Sequence, residues 1–228
     1  MKSKWLNKQN NKKLIVFLAG WSFDDKPFEF LDCADYDVLF IYDYNELNLL
    51  NSLQNLENYE EKFLITWSMG VFVGYKFRQI FENFDYKIAI NGTTTPVDNE
   101  FGIPIKMFEL TLKYAKIGLE GKFYKNVFHT VEEFEKYSKT PVERTIDNRV
   151  TELENLYEII KNTKTEDTNF YDFALVSEFD KIIPPKNQLN SHEKNGVKVK
   201  KLEQGHSPFY NFSSWCDIID LCKPILSK

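Results

Sequence analysis

Six short apolar runs limit the fold more than any other feature of the chain: Leu14 to Ala19, Val38 to Tyr42, Phe63 to Trp67, Lys87 to Ile90, Phe170 to Val176 and Val197 to Leu202. They are continuous more than alternating, and rich in β-branched and aromatic residues. A strand with one wet face alternates apolar and polar residues, whereas a continuous apolar run marks a strand covered on both faces, as in a parallel sheet wrapped by helices. Helical patterns fall between the runs, at Pro27 to Leu31, Glu46 to Leu56, Met69 to Phe81, Pro185 to Leu189 and Ser213 to Leu226. This alternation predicts an α/β fold with a mostly parallel sheet of about six strands flanked by helices. A chain of 228 residues suits one sizeable core, so a single domain spanning 1–228 is expected.

One interval, about 98–168, breaks the rhythm because it holds helical patterns and no convincing strand. Ile105, Phe108, Leu112 and Ala115 fall on one helical stripe, and Val150, Leu153, Leu156 and Ile160 on another. Open α/β sheets bind ligands beyond the carboxyl ends of their strands, where a helical insertion acts as a lid. The alternative is an additional helical layer.

Composition excludes several classes of function. Hydrophobic residues make up 43% and aromatics 16%, ample material for burial and a strong argument against disorder. A formal net charge of −5 leaves no overall cationic field for a phosphate backbone or an anionic membrane. Cys33, Cys216 and Cys222 form no CxxC pair and have no His at zinc-finger spacing, so they read as free thiols in a reducing cytosol. The Lys-rich stretch Met1 to Lys13 followed by Leu14 to Ala19 imitates the start of a signal peptide. The apolar run is too short, however, and ends in Gly20-Trp21-Ser22-Phe23-Asp24-Asp25 without a small-residue cleavage pattern. No later run approaches the ~18 apolar residues of a membrane span. A cytoplasmic protein is expected, with a monomer as the default and no nucleic acid or membrane as partner.

The segment richest in chemical information is Phe63-Leu64-Ile65-Thr66-Trp67-Ser68-Met69-Gly70-Val71-Phe72-Val73-Gly74, an apolar strand that enters a helix through a serine. A nucleophile elbow needs this arrangement, because a sharp strand-to-helix turn projects the hydroxyl. Gly70 supplies one of the small neighbours of the pattern G-x-S-x-G; Thr66 stands where the other glycine belongs. The competing reading makes Ser68 an ordinary helix cap. Two later segments favour the elbow. Asp180 follows one strand and His206 the next, within Gly205-His206-Ser207-Pro208, giving the chain order Ser, Asp, His of α/β-hydrolases. His129 and His192, the other histidines, read as surface residues. Asp98, after the fourth strand, rivals Asp180 for the acidic role. The backbone N–H groups of Met69 and Trp21 are the candidate oxyanion donors, with Gly20 permitting close approach to substrate. No metal or organic cofactor is required, and the glycines form neither a P-loop nor G-x-G-x-x-G.

Ala19-Gly20-Trp21, Thr66-Trp67-Ser68-Met69-Gly70, Asn91-Gly92-Thr93 with Pro96-Val97-Asp98 and Gly102-Ile103-Pro104, and Gly205-His206-Ser207-Pro208-Phe209 together resemble the BioG-type pimeloyl-acyl-carrier-protein methyl ester esterases. The likeness spans most of the chain. It implies the α/β-hydrolase fold, a Ser68, His206 and Asp180 triad, and an enzyme of biotin synthesis that removes the methyl group masking the far carboxylate of a pimeloyl chain on acyl carrier protein. Such a substrate asks for cations around its entrance. Lys106, Lys113, Lys116, Lys122 and Lys125 cluster in the first half of the insertion against Glu109 and Glu120, and Arg144 and Arg149 follow, so these are the candidate carrier-protein contacts. A solvated helical face is the plainer reading of the same charges. Two alternatives to this function stand: a general carboxylesterase or thioesterase with the same triad, and an inactive hydrolase fold used as a binding module.

Overall fold

A computed structural model of the protein describes residues 1–49, 53, 56–166 and 168–226. Seven strands form one sheet: β1 (Lys2–Asn7), β2 (Lys13–Leu18), β3 (Tyr36–Tyr42), β4 (Glu61–Trp67), β5 (Tyr86–Ile90), β6 (Phe173–Ser177) and β7 (Lys198–Leu202). Their spatial order is β1-β3-β2-β4-β5-β6-β7, with β1 antiparallel to β3 and every other pair parallel. In the sheet interior, Ile15 of β2 lies between Val38 of β3 and Phe63 of β4, and Leu14 through Leu18 are fully buried. The apolar runs of β2 to β6 are therefore the covered interior of the sheet, whereas the run at β7 forms the opposite edge, half-buried and carrying three lysines.

The strand absent from the sequence pattern is β1, Lys-Ser-Lys-Trp-Leu-Asn, which adds an edge and raises the count from about six to seven. An edge strand needs little apolar sequence, and lysines there discourage pairing with another chain. Lys2 pairs with Asp43 at 2.9 Å, while Lys4 reaches both Asp25 and Glu29.

Among the described residues, seven α-helices accompany the sheet: α1 (Met69–Lys76), α2 (Ile105–Gly118), α3 (Tyr124–Val127), α4 (Val131–Lys139), α5 (Ile146–Lys161), α6 (Pro185–Lys194) and α7 (Trp215–Leu226). Pro27 to Leu31, expected as a helix, holds only the 3₁₀ turn Lys26–Phe28. Residues 50–52, 54 and 55 of the expected helix Glu46 to Leu56 lie outside the described residues, and its described start, 46–49, is not helical. Helices α2 to α5 all fall between β5 and β6, with a π-helical turn, Leu119–Phe123, joining α2 to α3. Thr130 begins α4 with a capping box closed by Glu133, and the Thr145 side chain caps α5.

The insert shares the sheet's core. Phe108, Leu119, Tyr124, Val127, Leu153 and Leu156 belong to the same apolar cluster as the buried faces of β2, β3 and β4. Phe17 lies near its middle, with ring centroids of Phe28, Phe40, Phe209 and Trp215 within 5.5 Å. Trp67 continues the aromatic wall against Phe23 and Phe209, and the wall ends at His206. Among the described residues, no helix is long and apolar enough to cross a membrane.

Candidate active site

At the carboxyl end of β4 the chain turns into α1 through Ser68, whose φ of 57° and ψ of −123° are unusual for a residue with a Cβ. The turn is fixed on both sides: Ser68 N–H donates to the Ile90 carbonyl at 3.0 Å, and Val71 N–H donates to the Ser68 carbonyl at 3.0 Å. Gly70 is required by contact, since a Cβ there would lie 2.2 Å from the Leu18 carbonyl oxygen. Thr66 does not obstruct the elbow. Its hydroxyl sits 3.1 Å from the Ile88 carbonyl and 3.2 Å from the Tyr171 hydroxyl, and its methyl uses space left by Gly74 one turn into α1. Although Ser68 occupies the N-cap position of α1, its side chain makes no capping hydrogen bond.

The hydroxyl points to His206 instead. Ser68 Oγ lies 2.8 Å from His206 Nε2, and His206 Nδ1 lies 2.8 Å from Asp180 Oδ2. An ionised carboxylate only accepts, so the arrangement calls for the tautomer with its proton on Nδ1, leaving Nε2 to accept from the serine. All three residues are buried. Asp180 is held from three directions: Oδ1 accepts from the N–H groups of Ile182 at 2.8 Å and Ile183 at 2.9 Å, and Oδ2 also accepts from Gln188 Nε2 at 2.8 Å. The His206 carbonyl accepts from Trp67 Nε1 and from Asn91 Nδ2, each at 2.8 Å. Asp98 is placed elsewhere, accepting from the N–H groups of Glu100 and Phe101 in the turn before α2.

Ser68 and His206 open onto an apolar cavity of about 320 Å³ whose walls include Trp21, Phe23, Met69, Phe108, Leu119 and Phe123. Its outer wall is made by α2 and the π-helical turn. Met69 is the first residue of α1, so its N–H has no carbonyl a turn behind it within the helix. Gly20 passes directly against the elbow, for a Cβ on it would stand 3.0 Å from Ser68 Cβ. The next residue, Trp21, turns its ring under the insert, where Nε1 donates to the Arg149 carbonyl at 2.7 Å and the ring meets Phe123.

The candidate carrier contacts divide into two groups. Lys106, Lys113, Lys116, Lys122 and Lys125 are exposed; Lys116 pairs with Asp147 at 2.8 Å, and Lys122 stands on the cavity rim. Arg144 and Arg149 are buried and do not belong to a docking surface. Arg144 meets Glu152 at 2.9 Å, Asp43 at 3.3 Å and the Phe23 carbonyl at 3.1 Å, while Arg149 meets Glu120 and the Tyr124 hydroxyl. Arg144, just before α5, is compensated by the buried carboxylates of Asp43 and Glu152, and Arg149, on α5, by the more exposed Glu120. Burial raises the Glu152 carboxyl above the usual carboxylate range, opposed by Arg144 and by the N–H groups of Tyr44 and Ser22.

The two remaining histidines also differ from a surface reading. His192 is buried on α6, where desolvation lowers its pKa to about 4 despite a hydrogen bond to the Gly92 backbone. His129 is half-buried and stacks on Phe179 with centroids 4.3 Å apart. Cys33, Cys216 and Cys222 are free thiols, and burial pushes Cys33 up to about 11 and Cys222 to about 12. Gln188, Asn91 and Glu152 acquire their contacts only through the fold; of these, only Asn91 fell within a motif of the sequence, just past β5.

A mostly parallel seven-stranded sheet, with a left-handed serine between strand and helix and a buried histidine and aspartate beside it, defines an α/β-hydrolase fold. Residues 1–218 match the family model of pimeloyl-ACP methyl esterase BioG, and the chain belongs to that family. The crystal structure of BioG from Haemophilus influenzae is 30% identical, with a TM-score of 0.83 over 95% of this chain and 99% of that one. An uncharacterized protein of the same organism is 32% identical over 225 residues, covering 96% of this chain and 100% of its own length. A malonyl-acyl-carrier-protein O-methyltransferase from Bacteroides fragilis is 29% identical over 199 residues, but this chain spans only 39% of that relative. An esterase from Exiguobacterium antarcticum shares the fold at 13% identity and a TM-score of 0.63, over 99% of this chain and 93% of that one.

Proposed function

We propose that the protein is a serine carboxylesterase that hydrolyses the methyl ester of a pimeloyl chain carried on acyl carrier protein, a step of biotin synthesis. Family membership supports the substrate, and the chain of hydrogen bonds from Ser68 through His206 to Asp180 at the wall of an apolar cavity supports the chemistry. Ser68 Oγ attacks the ester carbonyl carbon while His206 Nε2 takes its proton. The oxygen that becomes negative is met by the N–H groups of Met69 and Trp21. The tetrahedral intermediate collapses by breaking the bond to the methoxy oxygen, which receives the proton from His206 and leaves as methanol. Water then adds to the acyl-enzyme carbonyl as His206 takes one of its protons; Ser68 is reprotonated on departure and the free carboxylate is released. Asp180 holds the imidazole in the required tautomer and stabilises its cationic form. No step requires a cofactor.

The apolar walls suit a chain of methylenes, while the acidic carrier stays outside the cavity. In this reading the helices between β5 and β6 act as a lid, and the exposed lysines of the insert receive the carrier. The deciding experiment follows pimeloyl-carrier-protein methyl ester by mass, with wild type and Ser68→Ala. Wild type should yield the free acid, and the variant should lose nearly all activity while keeping its fold. Wild type that is folded yet leaves the ester intact would overturn the assignment.

A further inference from the structure

The loop that carries the Trp21 N–H is itself under strain, and the group relieving that strain comes from the insert. Phe23 N–H donates to the Gly20 carbonyl at 3.4 Å, closing a four-residue turn with Trp21 and Ser22 at its centre. Ser22 has a φ of 77°. Positive φ at the third position of a turn is the place for Gly or Asn, and a residue with a full Cβ stays there only if its surroundings hold it. Ser22 is completely buried, so its backbone N–H also needs a partner within the protein.

Glu152, on the inward face of α5, supplies that partner. Its Oε2 accepts from Ser22 N–H at 3.1 Å, and its Oε1 accepts from Tyr44 N–H at 2.7 Å, so one carboxylate joins the loops after β2 and β3. Arg144 Nη1, 2.9 Å from Oε2, balances the charge. Neighbouring bonds hold the same turn: Ser22 Oγ lies 2.5 Å from the Tyr124 hydroxyl, and the Trp21 ring is tied to the Arg149 carbonyl. A carboxylate accepts both N–H groups without offering a donor, whereas an amide would turn its own N–H₂ towards one of them.

Resting on the serine-hydrolase reading above, we propose that Glu152 is a positioning residue for the reaction: by accepting from Ser22 N–H it fixes the Gly20–Phe23 turn so that Trp21 N–H meets the oxyanion formed at Ser68. Without this acceptor the turn relaxes towards negative φ at Ser22, the Trp21–Ser22 peptide rotates, and the Trp21 N–H leaves its line. The ground-state ester makes little use of that donor, so the loss falls on the transition state.

The test deletes the single hydrogen bond. Serine 22 is replaced by its α-hydroxy acid analogue, which exchanges the Ser22 N–H for an ester oxygen and leaves every side chain in place. A second variant, Glu152→Met with Arg144→Met, removes the acceptor without stranding its charged partner. Both should lower kcat on a methyl ester by about 10- to 100-fold with KM within about 3-fold of wild type. Affinity for an alkyl boronic acid, which forms a tetrahedral adduct on serine, should fall by the same factor as kcat/KM, with affinity for the product acid unchanged. If the double variant does not fold, the ester variant decides alone. Folded variants with wild-type kcat and boronate affinity, or with equal loss of boronate and product affinity, would overturn the positioning role. Fluorophosphonate labelling of wild-type Ser68 separates the two failures: a wild type that neither labels nor hydrolyses the ester ends the hydrolase reading and this inference together, whereas an active wild type with unaffected variants ends only the inference.

Discussion

The triad has two candidate acids that a linear reading cannot separate, Asp180 and Asp98, each following a strand; the fold separates them by the use made of each carboxylate. Asp180 spends one oxygen on two backbone N–H groups and offers the other to His206 and Gln188, whereas Asp98 is occupied by its own turn. Asp180→Asn should therefore reduce kcat on the methyl ester by a factor on the order of 10⁴, through the wrong imidazole tautomer, while Asp98→Asn stays near wild type. Steady-state kinetics of the two variants checks this, and the reverse ranking would exchange the roles. His192 carries a different prediction. Its pKa in the fold is lowered from 6.5 to about 4 because burial disfavours the cation, so the unfolded chain binds the proton more readily. The contribution is fully present above pH 6.5 and is lost as pH falls towards about 4. Between about pH 7 and about pH 5 this residue should remove roughly 2 kcal/mol of stability. Urea unfolding of wild type and His192→Gln at the two pH values should give that difference in acid sensitivity, and parallel losses would exclude His192 as its source. Neither the burial of His192 nor that of Arg144 and Arg149 was legible in the sequence. A charged or polar residue is read as exposed until the opposing face is known; Asp43 and Glu120 come from other parts of the chain, and Glu152, though near in sequence, is turned inward only by the packing of α5.

Elements were legible where burial left a continuous mark on the sequence. The six runs correspond to β2 through β7; for β2 to β6 the cause is that a strand covered on both faces is apolar at nearly every position, while the edge strand β7 keeps only Val199 and Leu202 among its lysines. Edge strand β1 had no such mark, and its register with β3 comes from backbone pairing and lysine contacts. The elbow element raises a separate question, since Thr66 departs from the glycine of the usual motif. Its environment has adjusted: Gly74 leaves room for the methyl, and the hydroxyl is near the Ile88 carbonyl and the Tyr171 hydroxyl, itself 2.7 Å from the Val71 carbonyl. Thr66→Gly should then restore the motif and damage the protein, because it opens a cavity, removes a buried hydroxyl and loosens a strand interior. A loss of about 1–3 kcal/mol with no gain in kcat is expected, read by urea unfolding and ester hydrolysis. A faster, equally stable variant would mean that Thr66 does crowd the serine.

At the scale of the whole molecule, a net charge of −5 should repel an acidic carrier, so docking requires a local reversal of sign. The insert provides one. Lys106, Lys113, Lys122 and Lys125 are exposed on α2, the π-helical turn and α3, beside Leu110, Tyr114 and the 85% exposed Ile117. Of these, Leu110, Tyr114 and Lys122 line the cavity, and apolar residues with cations on the same helices suit a partner that brings both negative charge and an acyl arm. Lys116 contributes less, since Asp147 already faces it across 2.8 Å. Lys122→Glu with Lys125→Glu should raise KM for the carrier-linked methyl ester by about 10-fold, with kcat on a short methyl ester unchanged. The comparison must be made against salt as well as substrate. In wild type, added salt should weaken turnover of the carrier-linked ester through screening, and the double variant should have lost most of that dependence. A variant that loses both substrates equally has a damaged cavity and not a damaged docking surface. A variant that keeps wild-type KM and salt response returns these lysines to the role of a solvated face, and docking would then depend on the apolar side of α2 alone.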